Sequence, residues 1–293
     1  MTPEDFPALA AFLADDETHI FGRPSRVGVA DVTAWLSGPD LSRDSWLFEE
    51  NGGLVALGWV EKHEDTGLAI GVVHRDQRGR GLGSTLVDRS EERLRALGAT
   101  RIHNVTLGPD RAAPLLLESR GYREVRRFWD MTIELGDEPP GDLELPEGFR
   151  IEPFSPDLAR AFHGALEEAF AEHWEHEPEP FEKWWERQVA KPDHDPSLWF
   201  LVRTGDDVVA ATRNDPERSG GGWIGAIGVR PAWRGRGLAK ALLLHSFREF
   251  HRRGMRRVGL GVDSENTTGA TKLYESVGMA VDTEQVVWEK SLE

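Results

Sequence analysis

The chain has 293 residues, with 51 Asp and Glu against 35 Lys and Arg, a formal net charge of −16. An acidic surface repels a phosphate backbone, whose binding rests on Lys and Arg that release counterions, so the chain is not expected to bind nucleic acid. It has no cysteine, which removes disulfides, thiolate metal sites and a cysteine nucleophile together, while 39% hydrophobic residues with 11 Trp and 13 Phe describe a globular protein.

The first residues, Met1-Thr2-Pro3-Glu4-Asp5-Phe6, are acidic where a secretory signal is basic. No apolar run approaches the roughly 20 residues of a membrane span, so the expectation is a cytoplasmic protein with no membrane partner. Thr2-Pro3-Glu4-Asp5 leads directly into a helix. Further on, an apolar strand ends at Ala69-Ile70-Gly71-Val72-Val73, a loop Arg78-Gly79-Arg80-Gly81-Leu82-Gly83 follows, and an amphipathic helix begins.

The same succession returns later in the chain. Arg78-Gly79-Arg80-Gly81-Leu82 recurs as Arg234-Gly235-Arg236-Gly237-Leu238, a shift of 156 residues. Gly98 ahead of Thr100-Arg101-Ile102 matches Gly254 ahead of Arg256-Arg257-Val258, and Leu116 to Tyr122 matches Leu273 to Met279 at a shift of 157. Collinear anchors at a near-constant shift mean a duplicated domain, too long a unit for a solenoid. The seam lies near 136 to 147, where Gly136-Asp137-Glu138-Pro139-Pro140-Gly141-Asp142 reads as a linker and a new alternation starts at Phe149-Arg150-Ile151. The domains expected are therefore 1–140 and 147–293.

In the second half, Ser155 to Ala171 and Glu179 to Ala190 have helical spacing, and Leu198 to Arg203, Val208 to Thr212 and Trp223 to Val229 read as strands. A long helix, Gly237 to Arg253, a strand, Arg257 to Val262, a helix, Thr268 to Ser276, and a strand, Met279 to Trp288, complete it. The first half repeats this order from its first helix onward and lacks the opening strand.

Each glycine-arginine loop joins the end of a strand to the start of a helix. There, bare backbone N–H groups and the helix N-terminus converge, glycine admits close approach, and arginine adds charge, so a phosphate or pyrophosphate is the expected guest. A dinucleotide fingerprint would need glycine at Ser84 or Lys240, and the P-loop spacing is absent. The pattern present is R-x-x-G-x-G at Arg78 to Gly83 and R-x-x-G-x-A at Arg234 to Ala239. A plain strand-to-helix turn with solubilising arginines is the competing account.

Two stretches carry a family resemblance: Ile227-Gly228-Val229-Arg230-Pro231-Ala232-Trp233-Arg234-Gly235-Arg236-Gly237-Leu238-Ala239, and Asn266 to Met279 with Leu273-Tyr274-Glu275-Ser276 inside it. They resemble the GNAT superfamily of acyl-CoA N-acyltransferases, over nearly the whole chain, in the tandem arrangement of the mycothiol synthase group of actinobacterial proteins. The resemblance implies a mixed α/β fold, two tandem GNAT-like domains, each a mostly antiparallel splayed sheet flanked by helices. It implies acetyl-CoA as acyl donor with no metal, the pantetheine arm lying in the splay against Ile227, Gly228 and Val229. The pyrophosphate would lie on Arg234, Gly235, Arg236, Gly237, Leu238 and Ala239. The matching positions of the first half are Gly71, Val72 and Val73 with Arg78, Gly79, Arg80, Gly81, Leu82 and Gly83.

Tyr274 is implied as the acid that protonates the leaving thiolate, a role a hydroxyl within hydrogen-bond reach of sulfur can fill. Packing against the last strand is its alternative role. Asn266 either caps the following helix or contacts the cofactor. Aligned on Gly121 and Gly278, Leu117 stands at the place of Tyr274 and Pro109 at that of Asn266, so catalysis is expected in the second half, and whether the first binds CoA stays open. The family often places a glutamate on the strand before the loop, but Trp223 to Val229 carries no ionisable residue. The candidate bases are Asp215, Glu217, His173 and Glu172 acting through water, and an acceptor amine that arrives neutral needs none.

The acceptor is expected at the first two helices of the half, where Glu172-His173-Trp174-Glu175-His176-Glu177-Pro178-Glu179-Pro180-Phe181-Glu182-Lys183-Trp184-Trp185 interleaves carboxylates with indoles, suited to a small cationic amine. The same spacing also describes a core face with a solvated acidic face. Glu172, His173 and His176 lack the third placed ligand that a metal site needs. Beside an N-acetyltransferase of small amines stand three alternatives: a non-catalytic acyl-CoA sensor, a mycothiol-synthase-like enzyme and a protein N-acetyltransferase drawn to basic tails.

Overall fold

The computed structural model describes residues 1–141, 145–191 and 194–293. Asp142, the end of the expected linker, and the rest of 142–144 lie outside the described residues. Two compact units make up the chain.

The first unit holds Met1–Trp129, Asp263–Glu265 and Thr283–Glu293. Its elements are α1 (Phe6–Phe21), α2 (Val29–Trp35), β1 (Ser45–Glu50), β2 (Gly53–His63), β3 (Thr66–Val73), α3 (Leu82–Ala96), β4 (Arg101–Leu107), α4 (Ala112–Ser119) and the start of β5 (Arg123–Glu134). Helix α1 follows a single helical turn, Pro3–Asp5. Its apolar face, Phe6, Leu9, Ala10 and Phe12, packs with Val32 of α2 on Leu57 and Trp59 of β2. Helix α3 contributes Val87 and Leu94 to a second cluster with Val60, Ala69 and Ile102.

The second unit holds Asp130–Val262 and Asn266–Asp282. Its elements are the end of β5, then β6 (Arg150–Pro153), α5 (Ala159–Phe170), α6 (Phe181–Val189), β7 (Phe200–Thr204), β8 (Asp207–Arg218), β9 (Gly221–Val229), α7 (Leu238–Arg252), β10 (Arg257–Asp263) and α8 (Ala270–Ser276). Strand β8 runs six residues past the expected end at Thr212. The run Arg213-Asn214-Asp215-Pro216-Glu217-Arg218 is too polar, and too interrupted by proline, to read as strand, yet it still pairs with β9 at Arg213, Asn214, Asp215 and Arg218.

From β1 to β4 and from β6 to β10 the neighbouring strands are antiparallel except for one parallel pair in each unit, β3 with β4 and β9 with β10. The last strand of the chain, β11 (Ala280–Ser291), pairs antiparallel with β4 over Gln285–Ser291 and so completes the sheet of the first unit. Val286, Trp288 and Leu292 enter its core, and the Trp288 indole donates to Thr106 Oγ1 at 2.9 Å. The end of β5 neighbours β10 in turn, where Leu135 donates its amide to the Arg256 carbonyl at 2.6 Å. The linear halves thus exchange their final strands. Among the described residues no helix is long and apolar enough to cross a membrane.

Candidate active site

Each parallel strand pair stays together for only a few residues and then parts. Strand β3 matches β4 from Thr66↔Arg101 to Ala69↔Asn104, and β9 matches β10 from Gly222↔Val258 to Ile224↔Leu260. Beyond those points Gly71, Val72 and Val73, and likewise Ile227, Gly228 and Val229, remain paired on one side only, to β2 and β8. Their other edge faces a wedge-shaped gap whose free backbone groups seek a partner. In the first unit this gap is a cavity of about 500 Å³ bounded by Gly71–Val73, the loop glycines, Asn104–Leu107 and Leu116 and Leu117 of α4.

The two loops at the mouth of the gaps are near copies. Gly79 and Gly81 have φ of 78° and 87°, and Gly235 and Gly237 have 76° and 79°. These left-handed conformations suit glycine and turn the chain straight into a helix. The first ladder bonds are Thr85 N–H to Gly81 O and Ala241 N–H to Gly237 O. The amides of Leu82, Gly83 and Ser84, and of Leu238, Ala239 and Lys240, therefore have no helical acceptor and point outward at the positive end of the helix dipole, a preformed anion site.

The arginines divide into two roles. Arg78 Nε donates to Val73 O at 3.3 Å and Arg234 Nε to Val229 O at 3.3 Å, tying each loop back to the strand before it. Arg78 also reaches Asp16 Oδ1 at 2.9 Å, while Arg234 reaches Ala169 O at 3.1 Å and Glu172 Oε2 at 3.0 Å. Burial pushes the Asp16 carboxyl up and Arg78 opposes it. The second arginines differ between the loops. Arg80 is paired with Glu50 at 2.7 Å, whereas Arg236 stacks its guanidinium 5.2 Å above the Trp233 ring.

Tyr274 lies on α8, 7% exposed, and burial alone pushes its hydroxyl up to about 12, so the proton stays in place throughout the neutral range. Leu117 is its structural counterpart. Met279 N–H donates to Tyr274 O at 3.1 Å and Tyr122 N–H to Leu117 O at 3.0 Å, the same closure of the same helix. Asn266 Oδ1 accepts from Thr268 N–H at 2.8 Å and from the Thr268 hydroxyl at 2.6 Å, a turn cap ahead of α8. In the first unit the cap is Asp110, whose Oδ1 accepts from Ala112 N–H at 2.9 Å. Asp110, not Pro109, thus answers to Asn266, because the register slips from 156 to 157 only after this turn.

Strand β9 differs from β3 in one respect that the sequence did not reveal. Arg213 pairs with Ala226 and Asn214 with Ile224, leaving Gly225 as the extra residue of a β-bulge at the fork of β9 and β10. The pairing of β2 with β3 is unbroken from Ala56↔Val73 to His63↔Thr66. Bulges gather beside active sites because they re-aim backbone and side chains.

Among the candidate bases, Glu172 is given to Arg234, the His173 ring packs 4.5 Å from Phe170, and Glu217 is exposed. Asp215 is 16% exposed and takes an Arg213 N–H on Oδ1 at 2.6 Å. The expected acceptor stretch is mostly spoken for. Trp184 is 6% exposed and packs with Phe162 and Trp199, Phe181 stacks on Trp185, Glu179 pairs with Arg187 and Glu182 with Arg160. His176 turns to Glu167 at 3.5 Å, so Glu172, His173 and His176 do not converge.

Comparison with known proteins agrees with this geometry. Residues 159–279 match the model of the acetyltransferase (GNAT) family, and residues 42–124 that of an acetyltransferase (GNAT) domain. A mycothiol acetyltransferase of Geodermatophilus obscurus is 32% identical over 89% of this chain and 87% of its own, and one of Nocardiopsis dassonvillei is 31% identical over 79% and 77%. The crystal structure of a GCN5-related N-acetyltransferase from Sphaerobacter thermophilus superposes with a TM-score of 0.87 at 35% identity, covering 100% of this chain and 94% of that one. A tandem GNAT protein from the clavulanic acid biosynthesis pathway shares the fold, with a TM-score of 0.73 at 15% identity over 99% and 95% of the two chains.

Proposed function

The chain belongs to the GNAT acetyltransferase family, and from that membership we propose that its second unit moves an acetyl group from acetyl-CoA to a small cationic amine, while the first holds the same donor without reacting. The observation that carries the division is Tyr274 against Leu117. A buried hydroxyl that keeps its proton can give it to a thiolate, and a leucine at the same turn of the same helix has none to give.

In this reading the amides of Leu238, Ala239 and Lys240 receive the pyrophosphate, with Gly235 and Gly237 shaping the turn, Arg234 bracing the loop and Arg236 supplying charge. The pantetheine arm lies against the unpaired edge of Ile227, Gly228 and Val229. Asn266 holds the turn before α8, which fixes the height of Tyr274. The amine nitrogen attacks the thioester carbonyl, the carbon–sulfur bond breaks, and the Tyr274 proton goes to sulfur. In the first unit, Gly71, Val72 and Val73 with the amides of Leu82, Gly83 and Ser84 line a cavity large enough for the arm, shaped by Gly79 and Gly81 and braced by Arg78, with Arg80 partly neutralised by Glu50.

A mycothiol-related acceptor is the second reading, favoured by the names of relatives at 31 to 32% identity. Turnover of acetyl-CoA by the full chain, measured with polyamines, aminoglycosides and amino sugars beside neutral and anionic amines, tests the proposal. Preference for the cationic set is expected. Turnover only with neutral or anionic amines would remove the acceptor class, and acetylation of basic peptides in preference to every free amine would replace it.

A further inference from the structure

The strand that leads into the active loop carries no ionisable side chain from Trp223 to Val229, and its bulge residue is glycine. The space a side chain would take there is already filled. A Cβ placed on Gly225 would lie 2.5 Å from Arg213 Nη2 and 2.6 Å from Asp215 Oδ2, both reaching over from β8. Resting on the reading of the second unit as the transferring one, we infer that Asp215 is the carboxylate that receives and deprotonates the acceptor amine, supplied to the fork of β9 and β10 by the neighbouring strand.

Position, face and valence agree. Ile224 is the last β9 residue paired to β10, so the carboxylate stands one residue from the fork. The intervening Asn214 points the other way, donating to Ser246 Oγ of α7 at 3.0 Å, which leaves Arg213 and Asp215 on the opposite face, the one where Gly228 meets Ala169 of α5. Arg213 occupies Oδ1 at 2.6 Å, and Oδ2 accepts no hydrogen bond from the described residues. One oxygen is anchored and the other is presented. The Trp223 ring, directly across from Asp215 and capped by Arg218 at 4.3 Å, adds an apolar wall beside it. In the first unit the residue facing Ile70, as Arg213 faces Ala226, is Trp59, 6% exposed, so the anchoring arginine is absent there.

An amine in neutral water is an ammonium and has no lone pair to attack with. Asp215 Oδ2 takes one proton from it and passes that proton to solvent. The freed lone pair bonds to the thioester carbon, the carbon–sulfur pair leaves with sulfur and takes the Tyr274 proton, the nitrogen releases its second proton to solvent, and Tyr274 regains one from solvent.

The test is steady-state kinetics of the full chain with acetyl-CoA and its best cationic amine, then with hydroxylamine, which is already neutral at the assay pH. Asp215→Asn is expected to lower kcat/KM for the cationic amine about 10²-fold, in the range of lost acid–base catalysis. It should leave calorimetric binding of acetyl-CoA unchanged and cost hydroxylamine much less. Asp215→Glu should recover part of the loss. Gly225→Ala, which keeps both charges but intrudes on Oδ2, should reproduce it. Equal loss with both acceptors, or Asp215→Asn within threefold of the wild type, would overturn the inference alone. Failure of the wild type to acetylate any amine would overturn the functional reading and this inference with it.

Discussion

The two loops, Arg78–Gly83 and Arg234–Ala239, are built alike down to the 3.3 Å bond from each first arginine to the strand behind it, yet the residues a few ångströms deeper have gone separate ways. One half has Tyr274, a bulge at Gly225 and the Arg213–Asp215 pair, and the other has Leu117, an unbroken ladder and Trp59. Scaffold and chemistry are therefore separable in this fold. Anion binding needs only backbone geometry, which glycine and a helix start provide, whereas proton transfer needs particular atoms at particular places.

The contrast is open to direct attack, beginning with the largest effect. Tyr274→Phe should lower kcat by about 10²-fold while leaving acetyl-CoA affinity intact, and adding Leu117→Tyr should restore nothing, because the bulge and the Arg213–Asp215 pair are missing there. Single-turnover kinetics beside calorimetry reads both. Next comes alkaline stability. Tyr274 ionises near 10 when unfolded and about 12 when folded, so its contribution is whole below pH 10 and is lost as pH rises toward 12. The loss amounts to about 2–3 kcal/mol. Denaturant unfolding of the wild type and Tyr274→Phe between pH 8 and 11 should show a steeper decline in the wild type.

Smaller effects bear on the loops. Gly81→Val and Gly237→Val force a β-branched residue into a left-handed turn at a cost of about 1–2 kcal/mol. Each should weaken one acetyl-CoA site roughly tenfold, and only Gly237→Val should reduce turnover. A wild-type calorimetric stoichiometry near one, abolished by Gly237→Val alone, would show that the first cavity has lost the ligand as well as the chemistry. Smallest is Glu50→Gln, which releases Arg80 and should tighten the first site about two- to fivefold, the scale of an exposed ion pair. Titration in low and high salt checks it, since the gain should fade as salt rises.

The duplication and both loops were legible because they rest on local features: glycine at positive φ, an apolar strand before and an amphipathic helix after. The fork of the strands was not, since it depends on where a partner distant in sequence stops pairing. Gly225 looked like any glycine in a glycine-rich strand, and only its register against β8 makes it a bulge. Asp215 did have a signal. Arg213 and Asp215 alternate with Thr212 and Asn214 at strand spacing, which puts both charges on one face, but the polar run through Pro216 hides that spacing. The carboxylates and indoles of Glu172 to Trp185 were ambiguous for the opposite reason, because helical spacing serves a core equally well, and Trp184 is in the core.

The placement of β11 sets a schedule for making the protein. During synthesis β4 emerges with one edge open, and the residues that close it, Gln285–Ser291, follow only after the whole second unit's strands and helices have been made. At about 5–20 residues per second the exposed edge waits roughly 10–40 s for its cover. An uncovered strand edge is a template for pairing with other chains. A nascent chain of this protein is thus expected to depend on holdase protection until β11 has emerged from the ribosome, and a gene cut at the linker would yield two fragments, each lacking a strand that the other encodes.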